Sequence, residues 1–428
     1  MKRILLLGVG RSTHTLIKYL SDSSVELDIE IILADKCQNS FIEPYLDQSR
    51  FSFIKLDINN NEARRNMINS ANIVISMLPH NFHHLVAKDC VLFKKHLITA
   101  SYVSEEVALL HDEAKSAGIL ILNECGLDPG IDHLSAMDII DKLHDQGAII
   151  HSFKSFCGGL VSPEYNNNPW GYKFTWNPKN VVLAGKQGAL YLENSLKKSL
   201  LYSELFQNLT PIDIPNYGNF EAYANRDSLH YKEKYNLLDA HTIIRGTLRE
   251  NGFSSAWDVF VQTGMTSESS SDSIINQSDF YNYLNKLNNK DIDEKMRYLD
   301  LFNINHKDKN YNNPSEYLLN VLIDKWNLDK NDKDMIVMQH IFNYSLSGVK
   351  KDLKSSMVVK GDDNTQTAMA KTVGLPLFFA CKLILQNKIS LTGVHIPIHK
   401  EIYQPILKSL DKEGLFFFNS PLTTKPCT

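Results

Sequence analysis

Residues 123–137, NECGLDPGIDHLSAM, place acids and a histidine directly after the apolar run ILIL. The letters DPG are typical of a turn, and helical spacing follows them. Carboxylates and imidazoles can accept and donate protons, so Asp128 is a candidate for acid–base chemistry. A structural interpretation stays open for its neighbours, because Asp132 can cap the following helix and His133 can pack within it.

A second candidate site lies at the N-terminus, where the apolar run RILLLGV breaks into GVGRST. Gly8 permits a tight turn, and Gly10 allows the backbone to approach a pyrophosphate at a helix N-terminus. The third position of the pattern G-x-G-x-x-G is Thr13. The pattern is weak alone, but here it follows the first strand and precedes a helix, which is the context that dinucleotide binding requires.

Asp35 ends the next apolar run, IEIILAD, and lies 25 residues after Gly10. An acid at this position can bind the ribose 2′-hydroxyl of NAD and would repel the 2′-phosphate of NADP. We therefore expect NAD as the cofactor, with NADP possible if Lys36 or Arg11 binds the phosphate. The other candidate cofactor-binding residues are Ser12, Asp57, Leu78, Pro79, Val103, Leu127 and Trp176.

Short runs rich in Ile, Leu and Val alternate with helical stretches over about the first 125 residues. They are RILLLGV, IEIILAD, FSFIKLD, ANIVISMLP, KHLITAS and GILILNE. Continuously apolar strands that alternate with helices are typical of a doubly wound parallel sheet. Ligands bind beyond the carboxyl ends of such strands, where SMLP, ASYVS and NECGLDPG lie. We therefore predict that Asp128 lies close to the nicotinamide.

After residue 150 the runs SFKSFCGG, FEAYANRDS, AHTIIRGTLR and DMIVMQHIFNYSLSG predict longer strands of a mainly antiparallel sheet. The fold class is α/β: a Rossmann-like doubly wound parallel sheet domain plus an α+β catalytic domain. We predict the Rossmann domain over 1–128 and the substrate-binding domain over 129–370, with small surface helices in an insert at about 265–333. The C-terminal segment, residues 371–428, returns to the spacing of amphipathic helices.

The composition argues against several classes of partner. Lysine plus arginine is 45 and aspartate plus glutamate is 49, so the net charge is −4. This balance gives no electrostatic reason to expect a nucleic-acid partner. No apolar run approaches the roughly 18 residues of a membrane helix, and we expect no membrane partner. The cysteines are scattered without a CxxC pair, which predicts thiols in the cytoplasm and no metal site.

Several segments closely resemble the saccharopine dehydrogenases that form L-glutamate. They are GLDPGIDHL, SFCGGLVSPEYNNNPWGYKFTWNP, AYANRDS, TIIRGTLRENGF, VVKGDDNTQTAMAKTVGLP and IPIHKEIYQPILKSL. The resemblance spans nearly the whole chain and is weakest over 265–333. It implies a Rossmann domain completed by the C-terminal segment, and a homodimer. It also implies NAD(P)-dependent oxidation of saccharopine to glutamate and 2-aminoadipate 6-semialdehyde, or the reverse reaction, in lysine metabolism.

The resemblance assigns roles to individual residues. ASYVS resembles a family segment that contacts saccharopine, which implies that Ser101 and Tyr102 bind the substrate. Asp128 matches a substrate-contacting aspartate. Cys157 matches an active-site cysteine, which we expect to be a supporting residue of the site wall and not a metal ligand or a nucleophile. Further matched substrate residues are Arg226, Thr247 and Arg249.

The chemistry of saccharopine agrees with these residues. Saccharopine carries three carboxylates, and the arginine fork binds carboxylates in a bidentate manner. Arg226, Arg245 and Arg249 all lie in the predicted sheet domain. The reaction also needs a general acid–base, for which Asp128 and Tyr102 are both candidates that the sequence does not rank.

Two alternatives stay open. A carboxynorspermidine-type dehydrogenase would share the architecture, but its diamine-derived substrate should need an acidic pocket where this chain has arginines. A nucleotide-binding regulator without catalysis would show no turnover and a degraded site.

Overall fold

The structure is a computed structural model, and it describes residues 1–270, 276–303 and 310–420. The chain forms two compact units, each described by itself below. Unit 1 comprises Met1–Lys142 and Thr365–Phe416, and unit 2 comprises Leu143–Asn364 and Phe417–Thr428. The units divide after 142 and 364, whereas the sequence predicted boundaries after 128 and 370. The helix after the first predicted boundary is held in unit 1, where Tyr403 Oη donates to Asp141 Oδ2 at 2.5 Å.

The strands follow one another along the chain as listed in this paragraph. They are β1 (Lys2–Leu7), β2 (Ile29–Asp35), β3 (Phe51–Lys55), β4 (Ile73–Ser76), β5 (His96–Thr99), β6 (Leu120–Leu122), β7 (Ile149–Val161), β8 (Ala189–Glu193), β9 (Leu196–Leu200), β10 (Leu209–Ile214), β11 (Gly218–Ala224), β12 (Arg226–Asp227), β13 (Thr242–Glu250), β14 (Asp334–Leu346), β15 (Val349–Lys360), β16 (Gly393–His395) and β17 (Phe418–Ser420).

The helices are numbered in the same way. They are α1 (His14–Asp22), α2 (Glu43–Leu46), α3 (Asn61–Ser70), α4 (His83–Phe93), α5 (Glu105–Ala108), α6 (His111–Ser116), α7 (Ile131–Asp145), α8 (Pro178–Val182), α9 (Tyr202–Leu205), α10 (Tyr231–Lys234), α11 (Phe253–Gln262), α12 (Gln277–Leu287), α13 (Lys290–Leu299), α14 (Pro314–Trp326), α15 (Ala368–Leu385) and α16 (Lys400–Lys412).

Unit 1 is built on a parallel sheet of seven strands in the order β16-β6-β5-β4-β1-β2-β3. The six apolar runs of the sequence form β1 to β6, and β16 comes from the C-terminal segment. Chain order reverses at β1, which pairs with both β2 and β4. A crevice for a dinucleotide is expected at such a switch point, so the predicted Rossmann-like sheet is confirmed.

Helix α15 corrects the expectation that no apolar run approaches the length of a membrane helix. Its 18 residues have a mean hydropathy of 1.6, and 72% of them are buried. The helix packs closely on α1, because a Cβ at Gly374 would lie only 2.8 Å from the backbone nitrogen of Leu16. A buried core helix passes the same test of length and composition, so α15 is weak evidence for a membrane span.

Unit 2 contains a mixed sheet in the order β10-β11-β13-β7-β14-β15-β17, with β8, β9 and β12 paired at its side. Neighbouring strands are antiparallel except for β13 beside β7 and β12 beside β8. The predicted long strands are β7, β11, β13 and β14. The expectation of a mainly antiparallel sheet is therefore confirmed.

The insert predicted at about 265–333 contains α12, α13 and α14. Phe280 and Leu284 of α12 and Leu318 and Leu322 of α14 are buried in one apolar core with the aromatic residues of unit 2. These helices are therefore part of the core of unit 2. The prediction of small surface helices was wrong in this respect. Two stretches of the insert, 271–275 and 304–309, lie outside the described residues.

Candidate active site

The glycine turn after β1 packs directly on the end of β4. Gly8 has φ +89°, and a Cβ there would lie 2.8 Å from the carbonyl carbon of Met77 and 3.1 Å from Leu78 N. Gly10 differs, because a Cβ on it would meet no heavy atom within 4 Å. Gly8 is therefore required by the fold, whereas Gly10 keeps open the space that a phosphate needs.

The helix after this turn begins with a single 3-10 turn, Arg11–Thr13. Arg11 is exposed, and Ser12 is half-buried. Thr13 is buried, and its Oγ1 donates to Gly10 O at 2.7 Å. Thr13 thus links the turn to the helix at the position where the pattern G-x-G-x-x-G has its third glycine.

Both carboxylate oxygens of Asp35 accept main-chain hydrogen bonds. Oδ2 accepts from Val9 N–H at 2.6 Å, and Oδ1 accepts from Lys36 N–H at 2.6 Å. Lys36 Nζ lies 3.4 Å from Asp57 Oδ2. The backbone N–H of Asn59, and then Lys36, hold the pKa of Asp57 below its usual value. Asp35 therefore fixes the glycine turn through the backbone of Val9.

The ends of β5 and β6 are joined by backbone hydrogen bonds. Glu124 N–H donates to Ser101 O and Cys125 N–H donates to Thr99 O, both at 3.0 Å. These hydrogen bonds fix the position of the segment that carries Tyr102. Tyr102 Oη donates to Asp128 Oδ1 at 3.4 Å, so the two candidate acid–base residues are brought together.

The turn that carries Asp128 is tightly closed. Gly126 N–H donates to Pro129 O at 3.0 Å, and a Cβ at Gly130 would lie 2.0 Å from Gly126 O. Asp128 itself is exposed, whereas Leu127 is only 6% exposed. Leu127 therefore contributes to the packing of the turn, and Asp128 is presented to solvent.

Asp132 and His133 have structural contacts behind this turn. Asp132 Oδ1 accepts from Gly130 N–H at 2.6 Å, which stabilises the turn before α7. His133 is fully buried, with Nε2 2.8 Å from Glu124 Oε2. Glu124 was not among the candidates predicted from the sequence, although it lies in the same segment as Asp128.

A histidine pair after β4 was also missed. His80 is exposed, and its Nδ1 lies 3.2 Å from Ser101 Oγ. His83 is buried with Nδ1 3.0 Å from Ser76 Oγ, and burial lowers its pKa to about 4. The segment PHNFHH follows the half-buried Leu78, and Pro79 in it is exposed. Neither histidine was among the candidates predicted from the sequence.

In unit 2 the candidate substrate residues line one strand. Arg245, Thr247 and Arg249 alternate along β13, so their side chains share one face of the sheet. Thr247 pairs in register with Cys157 of β7. The structure therefore brings four of the predicted residues onto a single face of this sheet.

The environment of Arg249 suits an anionic ligand. Arg249 is 5% exposed, and its Cζ lies 5.2 Å and 5.3 Å from the ring centroids of Tyr172 and Phe253. Its Nη1 donates to Leu248 O at 3.3 Å, and its buried Nε has no partner in the described part of the chain. Glu221 pairs with Arg249 in the sheet, but its carboxylate accepts the backbone N–H groups of 252 and 254. A buried charge without a carboxylate partner is costly unless a ligand completes it.

The other two arginines are held differently. Arg245 lies with its Cζ 4.2 Å from the ring centroid of Tyr231. Arg226 is exposed, and it belongs to β12, whereas Arg245 and Arg249 belong to β13. Its Nη1 lies 3.5 Å from Gln187 Oε1. Asn225 was missed by the sequence analysis. It donates from N to Arg245 O at 2.9 Å and from Nδ2 to Thr247 Oγ1 at 3.2 Å.

Two further predictions concern Trp176 and metal binding. Trp176 is half-buried and packs against the apolar core of unit 2. Among residues 1–270, 276–303 and 310–420, no group of three His, Cys, Asp or Glu side chains is arranged to hold a metal ion. The cysteines within these ranges form no disulfide.

Comparison with known proteins gives matches over both units. Residues 4–122 match the family model described as Saccharopine dehydrogenase NADP binding domain, and residues 126–415 match Saccharopine dehydrogenase C-terminal domain. The chain belongs to the saccharopine dehydrogenase family. The family resemblance inferred from GLDPGIDHL and the other segments is therefore confirmed.

Individual members of the saccharopine dehydrogenase family agree over most of the chain. The saccharopine dehydrogenase (NADP+, L-glutamate-forming) of Schizosaccharomyces pombe is 32% identical, covering 97% of this chain and 98% of the relative. The mitochondrial alpha-aminoadipic semialdehyde synthase of Rattus norvegicus is 34% identical over 99% of this chain. The chain spans 48% of that relative, about half its length.

A solved saccharopine dehydrogenase also has the same fold. The apo, histidine-tagged saccharopine dehydrogenase (L-Glu forming) from Saccharomyces cerevisiae superposes with a TM-score of 0.87. It is 30% identical, and the match covers 99% of this chain and all of the other.

Proposed function

We propose that this chain is an NADP-dependent saccharopine dehydrogenase that forms L-glutamate. The reaction converts saccharopine, NADP+ and water to glutamate, 2-aminoadipate 6-semialdehyde, NADPH and a proton, and it is reversible. The observation that carries the substrate assignment is Arg249, which is buried on the strand face of Arg245, Thr247 and Cys157 and has no carboxylate partner among the residues that the structure describes. The nearly full-length likeness to enzymes of this name supports it.

The arginines provide what a substrate with three carboxylates requires. Arg249 binds one carboxylate in a low-dielectric, aromatic environment, where a charge-assisted pair is strong. Arg226 provides a second, exposed guanidinium. A diamine-derived substrate would need acids at these positions, which disfavours the carboxynorspermidine alternative.

Tyr102 and Asp128 supply the acid–base function. Oxidation removes a hydride from the carbon on the lysine side of the secondary amine, and the amine must lose its proton. Ionised Asp128 can accept that proton, and Tyr102 at 3.4 Å can hold the carboxylate in place or return a proton to the departing amine. The same pair can deprotonate the water that adds to the imine.

The glycine turn fits a dinucleotide, and NADP+ when bound supplies the hydride acceptor. The open space at Gly10 and the required glycine at position 8 agree with a pyrophosphate at this turn. NADP in the relatives' names weighs against the preference for NAD that Asp35 predicted. Since Val9 and Lys36 N–H already bind the Asp35 carboxylate, its repulsion of a 2′-phosphate is reduced.

Arg11 and Lys36 are then the side chains that bind the 2′-phosphate. Replacing either with alanine should raise KM for NADP+ by roughly tenfold, while KM for NAD+ changes little. Lys18→Ala is the matched control, because Lys18 is an exposed base of α1 that pairs with Asp22. Equal changes in KM for both cofactors would show that neither residue binds the phosphate.

The proposal as a whole is tested by cofactor reduction at 340 nm. Saccharopine is supplied with NADP+ or NAD+, carboxynorspermidine is the substrate control, and glutamate is measured as a product. We expect turnover with saccharopine and none with carboxynorspermidine. We also expect a higher kcat/KM with NADP+ than with NAD+. Reduction with carboxynorspermidine, or none with either substrate, would point to one of the two alternatives. The homodimer, the cytoplasmic location and the lack of nucleic-acid or membrane partners stay predictions.

A further inference from the structure

Glu124 is buried behind the acid–base pair and joins two segments of unit 1. Its Oε1 accepts from Val103 N–H at 3.2 Å, next to Tyr102. Its Oε2 lies 2.8 Å from His133 Nε2, at the start of α7. One carboxylate therefore links the strand-end segment that carries Tyr102 to the helix that follows the Asp128 turn.

The contacts continue from the helix back to the turn. His133 Nδ1 lies 3.7 Å from Asp132 Oδ2, and Asp132 Oδ1 accepts from Gly130 N–H at 2.6 Å. The order is therefore Val103, Glu124, His133, Asp132 and Gly130. This series of contacts, which we name the buried relay, begins one residue after Tyr102 and ends two residues after Asp128.

The buried relay is costly to maintain. The side chains of Glu124, His133 and Asp132 are 3%, 0% and 2% exposed, and buried ionisable groups are unfavourable unless their partners are well placed. Glu124 also has φ +57°, a left-handed conformation that costs roughly 1–2 kcal/mol for a residue with a side chain. A strained, buried acid next to candidate catalytic residues motivates a functional hypothesis.

We propose that Glu124 is a positioning residue that, through the buried relay, sets the distance between Tyr102 Oη and Asp128 Oδ1. This inference rests on the proposed function. At 3.4 Å that hydrogen bond is near its upper limit, so a small shift of either segment decides whether it forms. Displacements of about 1 Å at reacting groups can cost on the order of 100-fold in rate.

Two substitutions separate geometry from charge. Glu124→Ala removes both contacts, and we expect kcat to fall by roughly 100-fold. Glu124→Gln can still accept from Val103 N–H and can donate to a neutral His133, so it should retain activity within about tenfold of the wild type. KM for saccharopine should change less than about threefold in both variants, because the arginines that bind carboxylates lie in unit 2.

A double-mutant cycle tests whether Glu124 acts through the pair. In a Tyr102→Phe background the hydrogen bond is already lost, so Glu124→Ala should lower kcat by less than about threefold further. Asp89→Asn is the matched control, because Asp89 forms a buried ion pair with Arg64 between α3 and α4. It should lower the melting temperature while kcat stays near that of the wild type.

Crystal structures of the wild type and Glu124→Ala measure the distance directly and do not depend on turnover. We expect the separation of Tyr102 Oη and Asp128 Oδ1 to exceed 4 Å in the variant. An unchanged separation, multiplicative losses in the cycle, or equal kcat losses in Asp89→Asn would overturn the proposal for Glu124. Absence of saccharopine oxidation by the wild type would instead reject the proposed function.

Discussion

Arg226 has a left-handed backbone conformation, which a substitution by alanine leaves equally strained. Its φ is +58°, and its N–H donates to Gly188 O at 3.1 Å. Asp227 Oδ1 accepts from the N–H groups of Leu229 and His230, so the neighbouring acid orients backbone. Arginine and alanine both carry a Cβ, so the left-handed conformation costs them about the same. Changes in activity therefore report on the guanidinium.

Arg226→Ala should reduce kcat/KM for saccharopine by about 30- to 1000-fold, corresponding to roughly 2–4 kcal/mol for a lost charge-assisted pair. Arg226→Lys should recover only part, because a point charge cannot reproduce the fork. KM for the cofactor should hardly change. Arg297→Ala, at an exposed arginine of α13, is the control. Near-normal kcat/KM, or a main defect in cofactor binding, would remove Arg226 from the substrate site.

Single residues were predictable where a local pattern determines them. Gly8 and Asp35 follow from a strand, a turn and a second strand that are adjacent in sequence. Glu124 was not predictable, because its partners Val103 and His133 come from different segments that only the folded sheet brings together. Arg249 was identified as a candidate, but the sequence could not show that the carboxylate of its strand neighbour Glu221 accepts backbone N–H groups instead of binding the guanidinium.

At the scale of elements, the turn between β1 and α1 separates two roles of glycine. Gly8→Ala would place a Cβ 2.8 Å from backbone atoms of Met77 at φ +89°, and we expect a loss of roughly 2–4 kcal/mol in the free energy of unfolding. Gly10→Ala meets open space at φ −101°, so stability should change by less than about 0.5 kcal/mol. Its KM for the cofactor should nevertheless rise by about tenfold or more, because the added methyl occupies the phosphate space.

Urea denaturation and cofactor titration of both variants distinguish these roles. Gly118→Ala is the control, since it has φ +69° but no neighbouring atom within 4 Å. It isolates the backbone cost from the steric cost at Gly8. Unaltered cofactor affinity in Gly10→Ala would place the pyrophosphate elsewhere.

The elements themselves were largely predictable because their hydrophobic patterns are local. The apolar runs of unit 1 became β1 to β6, and the longer runs became strands of unit 2. Which strands pair with each other was harder to predict from the sequence. β16 is three residues long and pairs with β6 from a distant part of the chain, and β13 lies parallel to β7 within a mostly antiparallel sheet. Such pairings depend on tertiary packing and leave no periodic signal.

At the scale of the whole molecule, two ionisable groups, one in each unit, make stability depend on pH in opposite directions. Burial lowers the pKa of His83 in unit 1 to about 4 from 6.5. As pH falls, His83 is protonated in the unfolded chain at a higher pH than in the folded chain. The contribution of His83 to the free energy of unfolding is therefore complete above pH 6.5 and is lost as pH falls toward 4. Burial, and then Glu221, raise the pKa of Glu250 in unit 2 to about 7 from 4.5. Here stability is complete below pH 4.5 and is lost as pH rises toward 7.

Each of these groups can contribute up to roughly 3 kcal/mol to the pH dependence. We expect His83→Gln to flatten the fall in stability between pH 6.5 and 5, and Glu250→Gln to flatten the fall between pH 5 and 8. The measurement is the free energy of urea unfolding at pH 5, 6.5 and 8, with His84→Gln and the exposed Glu294→Gln as controls. Because each comparison uses the slope with pH, a uniform loss of stability in a variant does not affect it. Slopes that match the wild type in His83→Gln or Glu250→Gln would show that the corresponding group keeps an ordinary pKa in the fold.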